Sequence, residues 1–304
     1  MKRARLTSRD WKLLLTVVMG LASVFGFSRW IDSHRSPTDM SIEEENLYLT
    51  GNTVRRVSLG FSGLAADWYW MRSLQYVGRK IANLPDNVPL DNLGQLNLKL
   101  LAPLLDNATT LDPEFMEPYE YAAIVLPGID VQEAIRLTNK GIAANPSAWR
   151  LYQHLGYIYW QQHDFKKASE TYGEGAKIPG APTWMEAMRG RMAIEGGSRG
   201  TAREIYRRMY EQAGDIQVRD MARRRLMQID SLEERDALRQ IMSAHKAKAG
   251  RCPASWRELE TVLRALKVRV DESGAPLDPA GTPYLLVKDN CDVDLDWKSE
   301  VPGK

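Results

Sequence analysis

Two cysteines and four histidines in 304 residues leave little from which to build a metal centre. A metal needs more ligands than Cys252 and Cys291 supply, and His245 is the one histidine near them in sequence. His34, His154, His163 and His245 form no His-Glu-x-x-His pair, and the step from His154 to His163 does not put both on one helix face. An excess of charge is also lacking. Lys and Arg number 41 against 39 Asp and Glu, a formal net charge of +2, so composition implies neither nucleic acid nor an acidic substrate. The chain has no Gly-x-x-x-x-Gly-Lys-Ser/Thr or Gly-x-Gly-x-x-Gly loop to cradle phosphate, and no Gly-x-Ser-x-Gly turn to expose a nucleophile. Ser243-Ala244-His245-Lys246 matches Ser-x-x-Lys, but in a charged helical stretch without companion motifs, and is read as coincidence. No catalytic residue, metal, cofactor or small-molecule substrate is therefore expected. A periplasmic enzyme whose site escapes these motifs is kept only as an alternative.

What the sequence does have, near its start, is an apolar run over residues 13–28, bracketed by Lys12 and Arg29 and then by Trp11 and Trp30. The tryptophans stand 19 residues apart, which is about 28 Å of helix and close to the thickness of a hydrocarbon core. A tryptophan at each end suits the two interfaces, and the flanking charges can snorkel. Residues 13–31 are expected to be a transmembrane helix, with 1–12 a basic cytoplasmic tail and 32–59 a juxtamembrane segment. A cleaved signal peptide is the alternative, with Gly26-Phe27-Ser28 a tolerable imitation of a cleavage site. Lys2, Arg3, Arg5, Arg9 and Lys12 precede the run, whereas Asp32, Asp39, Glu43, Glu44 and Glu45 follow it. Positive charge stays in the cytoplasm, so the expectation is a single-pass inner-membrane protein with its N-terminus cytoplasmic and the remainder periplasmic.

Further along, Tyr152-x-x-Leu155-Gly156-x-x-Tyr159, then Ala168-x-x-x-Tyr172, then Pro179 form a pattern that recurs. A shift of 34 residues forward puts Gly190, Ala202 and Tyr206 on Gly156, Ala168 and Tyr172, and the same shift backward puts Ala122 and Ala134 on the first two. Pro127-Gly128-Ile129-Asp130, His163-Asp164 and Gly196-Gly197-Ser198 mark turns inside units, and Asn145-Pro146 and Pro179-Gly180 turns between them. Small residues at Ala122, Gly156 and Gly190 allow two helices to approach, while Tyr152, Leu155, Tyr159 and Tyr172 are expected to fill the space between units. Residues 62–80 and 91–110 read as an earlier, atypical unit across a connector carrying Pro85 and Pro89. Residues 215–228 and 232–249 read as one or two closing helices.

This pattern resembles the tetratricopeptide repeat family over residues 60–230. The resemblance implies a mostly α fold, a right-handed helical solenoid that acts as a scaffold and binds protein partners, here in the cell envelope. Ligand contacts in that family come from the inward face of each first helix. Carried over, they fall on Arg150, Gln153, Tyr157, Trp160 and Gln161, with Trp184, Arg191 and Glu195 on the next unit. The competing reading is that Tyr157 and Trp160 merely fill space between units. Residues 65–76 hold Trp68, Tyr69 and Trp70 in succession, and one helix cannot turn all three inward. Either the helix is buried on two sides, against the next unit and residues 44–59, or it exposes an aromatic surface that holds a partner. Residues 199–225 collect eight arginines against four acids, read as a solvated face with Glu204/Arg208 and Asp220/Arg224 at helical spacing, or alternatively as a contact for anionic lipid.

Residues 231–304 are expected to hold a closing helix and a small α+β appendix. Ser255 reads as an N-cap with Glu258 as its capping-box partner, and residues 284–288 and 292–297 as two strands joined near Asn290. Asp292, Asp294 and Asp296 share a strand face and read as solvated. Two cysteines in an exported chain favour a disulfide between Cys252 and Cys291. Pro253-x-x-x-x-Glu258-Leu259 and Asp278-Pro279-Ala280-Gly281-Thr282-Pro283-Tyr284 resemble segments of type II secretion pseudopilins. That resemblance implies a second role, an accessory subunit of a secretion or type IV pilus machine.

Overall fold

A computed structural model describes residues 8–34, 49–84 and 93–303. The chain divides into two compact units, the first reaching Thr50 and the second beginning at Gly51.

The first unit holds α1, Ser8–His34. Its side chains over residues 15–30 are all exposed, Phe25, Phe27 and Trp30 among them. Among the described residues no helix is long and apolar enough to cross a membrane. The apolar run read from the sequence begins at Leu13 and Leu14, whose side chains lie outside the described residues, as do residues 1–7 of the basic tail and 35–48 of the juxtamembrane segment.

The second unit is mostly helical: α2 (Gly51–Val57), α3 (Ser62–Ala82), α4 (Leu101–Leu111), α5 (Met116–Val125), α6 (Val131–Ala144), α7 (Trp149–Gln161), α8 (Phe165–Gly175), α9 (Trp184–Glu195), α10 (Arg199–Gln212), α11 (Ile216–Ala249) and α12 (Glu260–Ala265). Each helix from α3 to α11 packs chiefly on those before and after it in sequence, and α5 also reaches α7. Local chemistry sets the ends. Asp130 accepts from the backbone N–H groups of Gln132 and Glu133 at 2.9 and 3.1 Å, and Asp164 and Asp215 cap α8 and α11 in the same way. Gly250, with φ of 74°, ends α11 in the left-handed region that glycine reaches without strain.

Close approach between helices recurs at the spacing of the sequence pattern. A Cβ on Gly156 would stand 2.9 Å from the Tyr172 ring, and one on Gly190 would stand 2.7 Å from the Tyr206 ring. Both tyrosines are buried, and Ala122 and Thr138, one period earlier, are 0% exposed. Tyr172 therefore fills the space inside its own helix pair and also shares a buried cluster with Met185 and Met192 of the next helix. Space between pairs is closed by a second recurring glycine that the sequence reading overlooked. A Cβ on Gly141 would meet Leu151 at 2.9 Å, and one on Gly175 would meet Tyr152 at 2.7 Å and also Met185. Leu151 and Met185 begin the first helix of the following unit, and each is 0% exposed.

Several expectations need correction. Residues 91–110 are not one helix: Leu93–Leu96 is a 3₁₀ turn, Asn97 takes φ of 49°, and α4 begins only at Leu101. Pro103 sits in the first turn of α4, where its missing N–H removes no hydrogen bond. Residues 215–249 hold one continuous helix, so a division at 230/231 falls inside it. Its middle is kept intact by buried polar side chains that find partners: Ser231 Oγ lies 3.0 Å from Tyr284 Oη, and Gln228 Nε2 donates to the Gly303 carbonyl at 3.1 Å. The arginines of α10 pair less along their own helix than across to α11, Arg199 with Asp236 and Arg203 with Asp230 and Glu233. Asp220 meets Arg223 rather than Arg224.

In the appendix, Trp256–Leu259 is a 3₁₀ turn leading into α12, and Ser255 makes no side-chain cap. Glu258 does reach back, but accepts from the Ala254 N–H at 3.3 Å. Two short strands, β1 (Leu285–Val287) and β2 (Asp292–Asp294), pair antiparallel with Leu286 opposite Val293, shorter than the runs read from sequence. Cys252 and Cys291 lie at disulfide distance, Cα to Cα 5.3 Å. Asp292 and Asp294 are held by Arg239 and Arg235 of α11, and Asp296 caps a turn at the Lys298 N–H.

Candidate functional site

The first helices of two consecutive units, α7 and α9, carry all eight positions carried over from the repeat family. On α7, Tyr157 is 49% exposed and stands edge to face with Trp160, ring centroids 5.6 Å apart. Gln161 Nε2 donates to Tyr157 Oη at 2.9 Å, one turn along the helix. From α9 the Arg191 guanidinium lies over the Trp160 ring, 4.9 Å from its centroid, and pairs with Glu195 at 3.9 Å. Trp160 is half-buried against the core around Ala168, Tyr172, Met185 and Met192. Five residues thus form one strip running from Gln161 to Glu195 across two helices. Trp160 is its fixed middle: one part fills space, as the competing reading holds, and another supports Arg191.

The remaining positions gather at the N-terminal ends of the same helices through a residue the sequence reading missed. Trp149 packs edge to face with Trp184, centroids 6.4 Å apart, and the Arg150 guanidinium stacks 5.2 Å above the Trp149 ring. Trp184 is 41% exposed and Arg150 exposed. Gln153 is half-buried between the two groups on α7. Trp149 was detectable, since a tryptophan on the first turn of one unit faces the tryptophan on the first turn of the next. It fell outside the positions carried over from the family.

Positive charge comes from Arg191 in the strip and from Arg150 in the group beside it. Burial pushes the Tyr172 hydroxyl up to about 12, with Tyr157 adding to the shift and Arg191 opposing it, so the phenol stays neutral beneath the strip. Burial lowers the His154 pKa, partly opposed by Glu120, and keeps this imidazole uncharged at neutral pH. The strip and the tryptophan pair beside it together offer two guanidiniums already stacked on rings, Arg191 and Arg150, one carboxylate, Glu195, and the amides of Gln153 and Gln161. Aromatic rings and guanidiniums of this kind are able to make aromatic contacts and charged hydrogen bonds with an extended chain or a helix. The surface contains no nucleophile beside a base.

Two other polar clusters were not foreseen, and both are internally satisfied. Lys140 Nζ donates to Asp106 Oδ1, Thr109 Oγ1 and Thr110 Oγ1 at 3.0, 2.9 and 2.6 Å, with Arg136 on the same carboxylate. Burial would raise the Asp106 pKa, but Lys140 and Arg136 outweigh it and hold the carboxyl below its usual range. In the appendix, Tyr284 Oη donates to Glu234 Oε2 at 2.8 Å, while burial pushes the Glu234 carboxyl up. Both join elements far apart in sequence, 106 to 140 and 234 to 284, which local spacing does not reveal. Compared with protein-family models and with curated proteins, the chain matches none.

Proposed function

We propose that this chain is a membrane-anchored, exported docking protein of the tetratricopeptide repeat type, whose right-handed solenoid presents the α7–α9 strip to a protein partner in the cell envelope. The observation that carries the reading is the strip itself. Aromatic rings and stacked arginines, half exposed, continue from one repeat's first helix onto the next. The recurring close contacts of Gly156 with Tyr172 and Gly190 with Tyr206 support the repeat. The bare apolar side chains of α1 suit lipid, and a cysteine pair at disulfide distance suits an oxidising compartment. Capture of a partner from detergent-solubilised membranes by the full chain tests it, and loss of that partner on altering the strip connects capture to the site.

A second reading, an accessory subunit of a secretion or pilus machine, is favoured by the appendix, where a short helix and a hairpin share a core on α11. The identity of the captured partner separates the two. Topology has its own test. Alkaline phosphatase fused after residue 60 is expected to be active, since the basic side of the apolar run stays in the cytoplasm. Activity instead from a cytoplasmic reporter at the same position removes the export claim.

A further inference from the structure

Between α2 and α3 the second unit turns large apolar side chains to the outside. Val57, Leu59 and Phe61 are 64%, 88% and 70% exposed, and Leu64, Trp68 and Met71 add 69%, 54% and 58%. Positions 64, 68 and 71 follow at steps of four and three, so they share one face of α3, while Tyr69 and Trp70 turn inward to the core and to Phe115 and Tyr121. This answers the question left by three successive aromatics: the helix is buried on one side. The segment before it, α2, packs chiefly on α4, where the Gly51 N–H donates to Asn107 Oδ1 at 2.6 Å, and residues 44–48 lie outside the described residues.

The turn is built to face outward. Leu59 takes φ of 47° and Gly60 φ of 94°, and a leucine in the left-handed region is strained. Hydrogen bonds fix it there: the Ser58 N–H donates to the Val54 carbonyl at 2.9 Å, the Phe61 N–H to the Ser58 carbonyl at 2.8 Å, and Ser58 Oγ to the Arg55 carbonyl at 3.0 Å. Around it the charge is mostly positive. Residues 51–75 hold Arg55, Arg56 and Arg72 against Asp67, and Arg55 and Arg56 are exposed immediately before Val57. A Cβ added at Gly60, Gly63 or Gly78 would meet nothing within 4 Å, so among the described residues no wall rises beside these positions to make a peptide groove. An open apolar face with a tryptophan on it and arginines at its rim matches the boundary between acyl chains and headgroups.

We infer that the turn at 57–61 and the Leu64, Trp68, Met71 face form a lipid-binding surface that seats in the interface of a membrane carrying anionic headgroups. The inference rests on this face and stands apart from the anchor assigned to residues 13–31. Its test uses the full chain with one added cysteine for a nitroxide label, at 59, at 68 or at the exposed control position 216, with Cys252 and Cys291 paired. The protein is bound to vesicles of phosphatidylcholine with phosphatidylglycerol. Labels at 59 and 68 should collide more with oxygen than with a water-soluble nickel chelate, and the label at 216 the reverse. Readings at 59 and 68 that match 216 overturn the inference, and so does spin–spin broadening at 68, which would mean a second copy covers the face. Vesicles of phosphatidylcholine alone should shift both labels toward water; equal immersion removes the role given to Arg55 and Arg56. Alkaline carbonate extraction keeps this apart from the anchor. Protein that is extracted, yet reads as immersed while bound, loses the anchor and keeps the face. Protein that resists extraction while both labels read as wet loses the face and keeps the anchor.

Discussion

Replacing both Cys252 and Cys291 by alanine is expected to destabilise the appendix by about 4 kcal/mol in the chain-entropy model, since the link closes a loop of 39 residues. The loss should be confined. The appendix has its own buried cluster of Trp256, Leu259, Leu263, Tyr284 and Val293 against Leu238 and Met242 of α11. Two further ties survive the substitution: Arg239 Nε donates to Asp292 Oδ1 at 2.6 Å, and Trp256 Nε1 to the Tyr284 carbonyl at 3.1 Å. The variant should therefore fold at low denaturant and lose the appendix first on titration. Hydrogen exchange resolved by segment reads this directly. Protection should fall over residues 251–303 and hold over 149–212, and equal protection in variant and parent would show that the link contributes nothing.

Gly156→Ala and Gly190→Ala should each destabilise the protein by about 1–3 kcal/mol, the usual range for forcing a methyl group into a filled core. The new Cβ would stand 2.9 Å from the Tyr172 ring in one case and 2.7 Å from the Tyr206 ring in the other. Gly190 should be the costlier site, because Tyr206 Oη donates to the Ala187 carbonyl at 2.9 Å and the ring cannot easily withdraw. Gly200→Ala is the internal control. It lies in α10 with open space around it, so the same substitution should stabilise by about 0.5–1 kcal/mol by relieving glycine's entropy in a helix. Denaturant midpoints for the three variants decide the matter. Three similar values would mean that the recurring glycines carry no packing.

These positions also show which parts of the fold can be read from sequence. Gly156 and Gly190 stand out because a glycine inside a periodic pattern, repeated with a tyrosine sixteen residues later, has a local signature. Turns are legible for the same reason, as Asp130 and Asp164 cap the helices they precede. Gly141 and Gly175 share the same period yet go unnoticed, because part of what makes them tight, Leu151 and Met185, lies on the following helix, beside Tyr119 and Tyr152 of the preceding one. Whether residues 215–228 and 232–249 form one helix or two stays open in the sequence, and Ser231 between them finds its partner in Tyr284, 53 residues away. Of the candidate site, Tyr157, Trp160, Gln161, Arg191 and Glu195 are named only through the resemblance to the repeat family, and the structure brings Arg191 onto Trp160. The stacking of Arg191 on Trp160 depends on how two helices meet, and spacing along either one does not contain it.

Partner capture by a Tyr157→Ala, Arg191→Ala double variant tests the central claim most directly. Both side chains lie on the strip, one at its exposed aromatic edge and the other over Trp160, and neither belongs to the buried core. Exposed groups of this kind contribute little to stability, whereas aromatic and arginine anchors carry much of the energy of an interface. The full chain and the variant, each purified in detergent, are offered the same membrane extract, with thermal unfolding followed in parallel. Capture should fall at least about tenfold while the unfolding midpoint stays within about a degree or two. Full capture by the folded variant, or a variant that no longer folds, would contradict the assignment of this strip as the binding surface.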